Sequence, residues 1–273
     1  MNDQLSAVTR FHELHAAGCF VLPNPWDIGS AIYLEHVGFK ALATTSAGFA
    51  FSRGLQDSAV PLDLMLDHIR EIAAATALPL NADFQGGYAD EPEGVATSVT
   101  RCLATGVAGL SIEDSSGDDN APLYDFALAV ERIKASRAAI DASGIPVVLT
   151  ARCEAWLVGT TDPLRVALDR LVAFAEAGAD CLYAPGVSKP DEIAAIVKAV
   201  SPRPVNVLVY SGNAALSVSQ LTDLGVRRIS VGAALARVAW GSFMQASRRI
   251  AETGSFKAFA EAAPSNELNE IFA

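Results

Sequence analysis

The sequence is poor in the residues on which several common chemistries depend. Cys19, Cys102, Cys153 and Cys181 stand far apart with no Cys-x-x-Cys pair, which argues against a disulfide framework or zinc knuckle and for the reduced thiols of a cytoplasmic protein. The four histidines, His12, His15, His36 and His68, fall in segments of helical periodicity, so each is expected to be structural and partly exposed. A histidine metal site or a Ser-His-Asp triad therefore lacks its base. The five lysines (Lys40, Lys134, Lys189, Lys198, Lys257) lie in predicted helices or loops and none ends a predicted strand, which disfavours imine chemistry. Lys and Arg number 20 against 31 Asp and Glu, for a net charge of −11; no nucleic-acid surface is expected, since that needs clustered cations. Uninterrupted apolar runs of roughly 18 residues are missing, so no membrane span is expected. The opening MNDQLSAVTRFHELHAAG reads as an amphipathic helix without the apolar centre of a signal peptide.

What is present is a repeating alternation. Of 273 residues, 51% are hydrophobic, enough to promise a large core. Eight apolar β-rich runs alternate with helical segments: CFVLPNP, ALATT, PLNADF, GLSIED, PVVLTARC, CLYAPG, VNVLVY and RISVG. Four stretches, LEHVGFKALATTS, LATGVAGLSIED, AEAGADCLYAPG and LTDLGVRRISVG, share one phrase of helix end, glycine cap and apolar strand. Repeated units of this kind give parallel strands covered on both faces, expected to read as apolar runs without alternation. The prediction is an α/β protein, a single (β/α)8 barrel over residues 1–273 with an added N-terminal helix. The rival, a doubly wound open sheet, lacks its glycine fingerprint, because PNPWDIGS follows the first strand. Residues 46–57 read as a polar loop, and a long helix is expected over 233–252.

In such barrels the active site gathers at the C-terminal ends of the strands. The residues there are Asn24 and Asp27, Thr45 and Ser46, Asp83 and Gln85, Glu113 and Asp114, and Arg152 and Glu154; the later strands end on Pro185 and Gly186, Tyr210 and Ser211, and Gly232. Several carboxylates and one arginine around a barrel mouth suit a hard divalent cation and an anionic substrate, which a guanidinium grips through two hydrogen bonds. The plainer alternative is an ion pair of Glu113 with Arg152 that seals the barrel top. Cys153, pointing to the opposite side of its strand from Arg152, is expected to pack.

With these residues placed, the chain resembles the isocitrate lyase and phosphoenolpyruvate mutase superfamily over nearly its whole length. PNPWDIGSAIYLEHVGFKALATTSAG is similar to the opening unit, RGLQD to the loop that carries an aspartate (here Asp57), ADFQGGYAD to the DxDxGYG segment, GLSIED to the fourth strand, and TARCEA to the strand of the substrate arginine. The resemblance implies a (β/α)8 barrel, Mg²⁺, an α-oxoacid or phosphonate substrate, and a homotetramer, a dimer of dimers, whose subunits exchange the last long helix. It also implies that Asp83 is the main metal-binding acid, with Gln85 and Glu113 completing the metal set and Asp57 close by. Ser46 with the backbone of Ala47 and Gly48 would hold the oxoacid carboxylate, Arg152 would clamp the other end, and Asn120 would stand near the mutase asparagine.

Two departures narrow the chemistry. Gln85 replaces the second acid of DxDxGYG and removes a negative charge beside the metal. SSGDDNAPLYD replaces the loop in which the lyases carry a catalytic cysteine and the mutase a lysine. The expected activity is an Mg²⁺-dependent C–C cleavage or decarboxylation of a small α-oxocarboxylate through a stabilised enolate. The alternatives are a phosphonate mutase or hydrolase, and a catalytically silent oxoacid-binding barrel.

Overall fold

A computed structural model describes residues 2–273. Eight strands form one parallel sheet: β1 (Phe20–Leu22), β2 (Leu42–Ala43), β3 (Leu80–Asp83), β4 (Gly109–Glu113), β5 (Val148–Arg152), β6 (Cys181–Tyr183), β7 (Val205–Leu208) and β8 (Arg228–Ser230). β1 pairs with β8, and pairing continues in order to β2. The remaining seam, between β1 and β2, is stitched at its top: Ala43 N donates to Pro23 O at 3.0 Å. Asn24 adds a side-chain stitch, its Nδ2 donating to Thr44 O at 2.8 Å while its Oδ1 accepts from Val231 N and Gly232 N at 3.0 and 2.8 Å. The first of the strand-end residues is thus a closure of the barrel at both of β1's sides.

Around the sheet run α1 (Asn2–Ala16), α2 (Ile28–His36), α3 (Ser46–Ser52), α4 (Leu62–Ala75), α5 (Pro92–Leu103), α6 (Phe126–Ser143), α7 (Pro163–Glu176), α8 (Pro190–Val200), α9 (Val218–Asp223), α10 (Ala234–Thr253) and α11 (Ser265–Ile271). Their limits follow ordinary chemistry. Asp27 and Ser30 form a reciprocal cap at the start of α2, Asp162 caps α7 ahead of Pro163, and Gly144 ends α6 at φ 70°. The segment expected as a polar loop from residue 46 begins instead with α3, because Thr45 caps it through Gly48 N.

The strands are not the featureless apolar runs expected of them. Asn81 and Asp83, Ser111 and Glu113, Thr150 and Arg152, and Arg228 and Ser230 alternate with Ala82, Ile112, Ala151 and Ile229. The intervening apolar side chains are fully or almost fully buried, facing the helices, while the polar set faces the barrel axis. The main hydrophobic layer therefore lies between sheet and helices, and the barrel interior is polar. At the bottom, Phe11 of α1 plugs the barrel beside Gly109, where a Cβ would stand 2.6 Å from the phenyl ring and 2.7 Å from Asn81 Oδ1. His15 and His68, expected to be partly exposed, are 9% and 3% exposed; burial pushes them down to about 3 and about 4, so both are neutral.

α10 leaves the barrel. Only Ala236 of its residues is buried, and Val238, Trp240, Phe243 and Met244 stand exposed. Beyond it the chain returns, bringing Phe272 against Gly29 of α2. No described helix is long and apolar enough to cross a membrane.

The contact at Gly109 yields a test of the plug. Gly109→Ala is expected to lower the unfolding free energy by about 1–3 kcal/mol, the range for an overpacked interior, read from urea denaturation.

Candidate active site

Arg152 is the hub of the barrel mouth. Its Nη1 donates to Asp83 Oδ1 at 2.7 Å, its Nη2 lies 3.0 Å from Glu113 Oε2, and its Nε donates to Glu154 Oε1 at 2.9 Å. The ring of Tyr183 lies beneath the guanidinium, 5.1 Å to the centroid. The ion pair of Glu113 with Arg152 is therefore present, as one arm of a fork that three strands share. Asp83 is held on its other side as well: Oδ2 accepts from Ser46 N at 2.9 Å, and its own backbone N–H donates to Thr44 Oγ1 at 2.8 Å. Ser46 Oγ in turn donates to Asp57 Oδ1 at 3.4 Å.

These residues line a cavity of about 190 Å³ that descends from the mouth into the barrel, with Ala47, Asp57, Asp83 and Arg152 above and Asn206, Arg228 and Ser230 below. A second pocket of about 300 Å³ adjoins it, lined by Gln85, Tyr88, Glu113 and the loop after β4. Ser58, Gln85 and Tyr88, all on this rim, have φ of 67°, 48° and 59°. Left-handed backbone at three non-glycine positions is strain of the sort that functional sites retain.

The charge at the mouth is unbalanced. Four carboxylates, Asp57, Asp83, Glu113 and Glu154, surround one guanidinium. Burial opposes the charge on Arg152, but Glu113, Glu154 and Asp83 together hold it well above its usual range. Glu113 is pushed up to about 8, by burial first and by Glu154, Asp83 and Asp57 next, with Arg152 pulling the other way. Burial and the neighbouring Asp83 raise Asp57 likewise. Such a surplus of hard oxygens is what a divalent cation neutralises. No set of three or more His, Cys, Asp or Glu side chains converges into a cage among the described residues. The donor set suits instead a hard divalent cation that one or two carboxylates would hold, with water completing its shell.

The structure separates the sequence candidates. Ser46, Ala47, Asp57, Asp83 and Arg152 share one cavity, while Gln85 and Glu113 face its neighbour, Glu113 reaching back through Arg152. Gly48 is spent on packing: its N–H donates to Thr45 Oγ1, and a Cβ there would meet Thr45, Trp26 and Ala236. Asn120 is exposed, its side chain donating to Asp118 Oδ1 at 3.1 Å, and it lines neither pocket. Asp114 is structural, accepting from Glu154 N at 2.8 Å and from Arg170 at 3.1 Å. Cys153 is buried, as expected of a packing residue. Missing from the sequence-based site are Tyr183, Asn81, Ser111, Asn206, Arg228 and Ser230, whose signal was the polar alternation within apolar strands.

Support for the rim comes from Arg132 of α6, 1% exposed, which donates to the carbonyls of Gly86, Ala89 and Asp90 and stacks on Tyr124. The loop that carries Gln85 and Tyr88 is thus clamped. The raised Glu113 sets a pH dependence. Unfolded, it loses its proton near the ordinary glutamate range; folded, it keeps it to about 8. The native state therefore binds more protons between those values, and stability falls as pH rises through them. Urea denaturation of the protein in chelator, between pH 5 and 8, is expected to show this fall, and Glu113→Gln to flatten it.

The comparisons with known proteins agree with this architecture. A family profile described as "Phosphoenolpyruvate phosphomutase" matches residues 11–251. A crystal structure of a putative lyase/mutase from Burkholderia cenocepacia J2315 is 45% identical, covers 99% of this chain and 97% of its own, and superposes with a TM-score of 0.96. An uncharacterised protein of Mycobacterium tuberculosis (strain ATCC 25618 / H37Rv) is 36% identical over 228 residues, 81% of each chain. The oxaloacetate decarboxylase of Rhodopseudomonas palustris (strain BisB5) is 32% identical over 196 residues, 69% of this chain and 65% of its own. With eight parallel strands, an acid-rich mouth around one arginine and a profile match over most of its length, the chain belongs to the phosphoenolpyruvate mutase and isocitrate lyase superfamily of lyases and mutases.

Proposed function

We propose that this protein is an Mg²⁺-dependent lyase that breaks a bond to the β-carbon of a small α-oxocarboxylate, by C–C cleavage or decarboxylation. The observation that carries this reading is the clustering of Ser46, Asp57, Asp83 and Arg152 on one cavity, with Asp83 hydrogen-bonded to both Ser46 and Arg152. Ser46 and Ala47 orient the oxoacid carboxylate at the start of α3. Asp83, with Asp57 in the same cavity and Gln85 and Glu113 on the adjoining one, would hold the cation, which supplies Lewis acidity to a 2-oxo group when bound. Arg152 is fixed by Glu113 and Glu154 in one orientation, and its positive charge lowers the energy of the enolate that develops as the bond breaks. Because the fork is already held in place, little reorganisation accompanies that step. Gln85, on the adjoining pocket, would offer that side a neutral oxygen where an acid would add charge.

Asp83→Ala is expected to reduce turnover on oxaloacetate-like acids by about 10²–10³-fold, the scale on which preorganised electrostatic groups act; unchanged turnover would sink the metal role. A second reading, P–C bond chemistry, has in its favour the phosphomutase profile match. Phosphorus NMR separates the two, since conversion of phosphonopyruvate without any decarboxylation of oxaloacetate would replace the lyase reading.

The assembly proposed is a homotetramer whose paired subunits exchange α10. The exposed apolar side chains of that helix, Val238, Trp240, Phe243 and Met244, support it. Sedimentation equilibrium should return a tetramer for the native chain and smaller species for Trp240→Glu with Phe243→Glu.

A further inference from the structure

The lower half of the cavity is not used by the site at the mouth. Arg152, Tyr183, Asn206 and Arg228 are successive register partners on β5, β6, β7 and β8. Arg152 ends its strand while Arg228 begins its own. Because barrel strands tilt by about 36° to the axis, this row climbs from floor to mouth, and all four residues line the one cavity. It is a polar shaft with an arginine at each end.

The two arginines differ in their partners. Arg152 has three carboxylates. Arg228, 2% exposed, has none within 4 Å among the described residues. Its Nε donates to Asn206 Oδ1 at 2.9 Å, its Nη2 to Thr150 Oγ1 at 3.0 Å, and its Nη1 meets His15 Nε2 at 3.3 Å. His15 cannot supply negative charge. Its Nδ1 donates to Phe11 O, which leaves Nε2 as a neutral acceptor. A guanidinium has five N–H bonds, and three are spent on neutral groups here. A buried cation with neutral partners alone is costly unless an anion completes it. The neighbouring wall is polar too, since Asn81 Oδ1 is buried without a protein partner.

We infer that the floor of this cavity is a carboxylate subsite, in which Arg228, braced by Asn206 and Thr150, receives the second carboxylate of a dicarboxylate ligand that enters through the mouth. The inference rests on the oxoacid reading for the ligand's class and adds a specificity determinant to it. The carboxylate on Arg228 is one the reaction retains, because the ion pair stabilises a charge on that group that would have to leave it as neutral CO₂ formed. Cleavage of a C–C bond between an oxoacid portion at the mouth and a carboxylate-bearing portion below it fits this placement better than loss of the deep carboxylate as CO₂.

Calorimetric titration in Mg²⁺ tests it, comparing malonate and succinate with acetate and propionate on the native protein, Arg228→Gln and Arg228→Lys. The native protein is expected to favour a dicarboxylate at least tenfold, Arg228→Gln to erase that preference, and Arg228→Lys to keep part of it. A preference unchanged in Arg228→Gln overturns the subsite. Formate or acetate that raises the melting temperature of the native protein but not of Arg228→Gln, with no dicarboxylate preference, overturns the substrate assignment in favour of a free monoanion. Should Arg228→Gln not fold, native crystals soaked in bromide decide. An anomalous peak at contact distance from the guanidinium supports the subsite, and an ordered water alone overturns it. Dicarboxylate binding without turnover of any oxoacid would leave this subsite standing and remove the lyase reading, whereas turnover with an unaltered KM in Arg228→Gln would do the reverse.

Discussion

One guanidinium shared among strands 3, 4 and 5 governs the mouth of this barrel. Arg152 reaches Glu113 on the adjacent strand, Asp83 one strand further and Glu154 just beyond its own strand, so the acids are held in mutual positions that their repulsion would otherwise prevent. The compensation is incomplete, and the deficit appears as carboxyl groups that keep their protons above the ordinary range. A site poised in this way gains from any added cation, and the same surplus charge would draw an arriving cation toward the cavity.

Rigidity around this centre comes from buried arginines used as braces. Arg132 ties the loop after β3 through three carbonyls, and Arg170 joins Asp114 to the carbonyl of Tyr124 at the far end of the loop after β4. Each spends its donors on backbone or on a carboxylate, as buried guanidinium groups require. Arg228 stands apart because its partners are neutral. The contrast among the four shows how one residue type serves as hub, brace or ligand group according to what its strand or helix places around it.

The barrel was legible because eight strands alternate with helices, four of the units sharing one phrase of helix end, glycine cap and apolar strand, and because strand ends collect polar residues on one side of the sheet. Ser46, Asp83 and Arg152 could be named for the same reason, whereas Asp57, outside any strand end, was named only through the resemblance of RGLQD to the family loop. Gly48 could not be placed, since the sequence does not show that Thr45 would occupy its N–H or that Trp26 and Ala236 would close on it. Asn120 lies in a turn organised by Asp118, a local hydrogen bond that competes with any reach toward the mouth. The polar alternation in β3, β4, β5 and β8 was present in the residues, but short strands set among apolar neighbours conceal a period of two.

By itself the sequence determined the class of fold, the order of its elements, and the acids and arginine at the strand ends, because these depend on residue type and local periodicity; the departure at Gln85 showed only against the DxDxGYG segment that ADFQGGYAD resembles. Only the tertiary structure decided which acids share Arg152, that Gln85 and Glu113 face a separate pocket from Asp83, and that Arg228 lies at the bottom of the shaft that Arg152 opens. Those relations depend on the tilt and register of eight closed strands, which bring together residues up to 76 positions apart in the row from Arg152 to Arg228. No local pattern encodes that row.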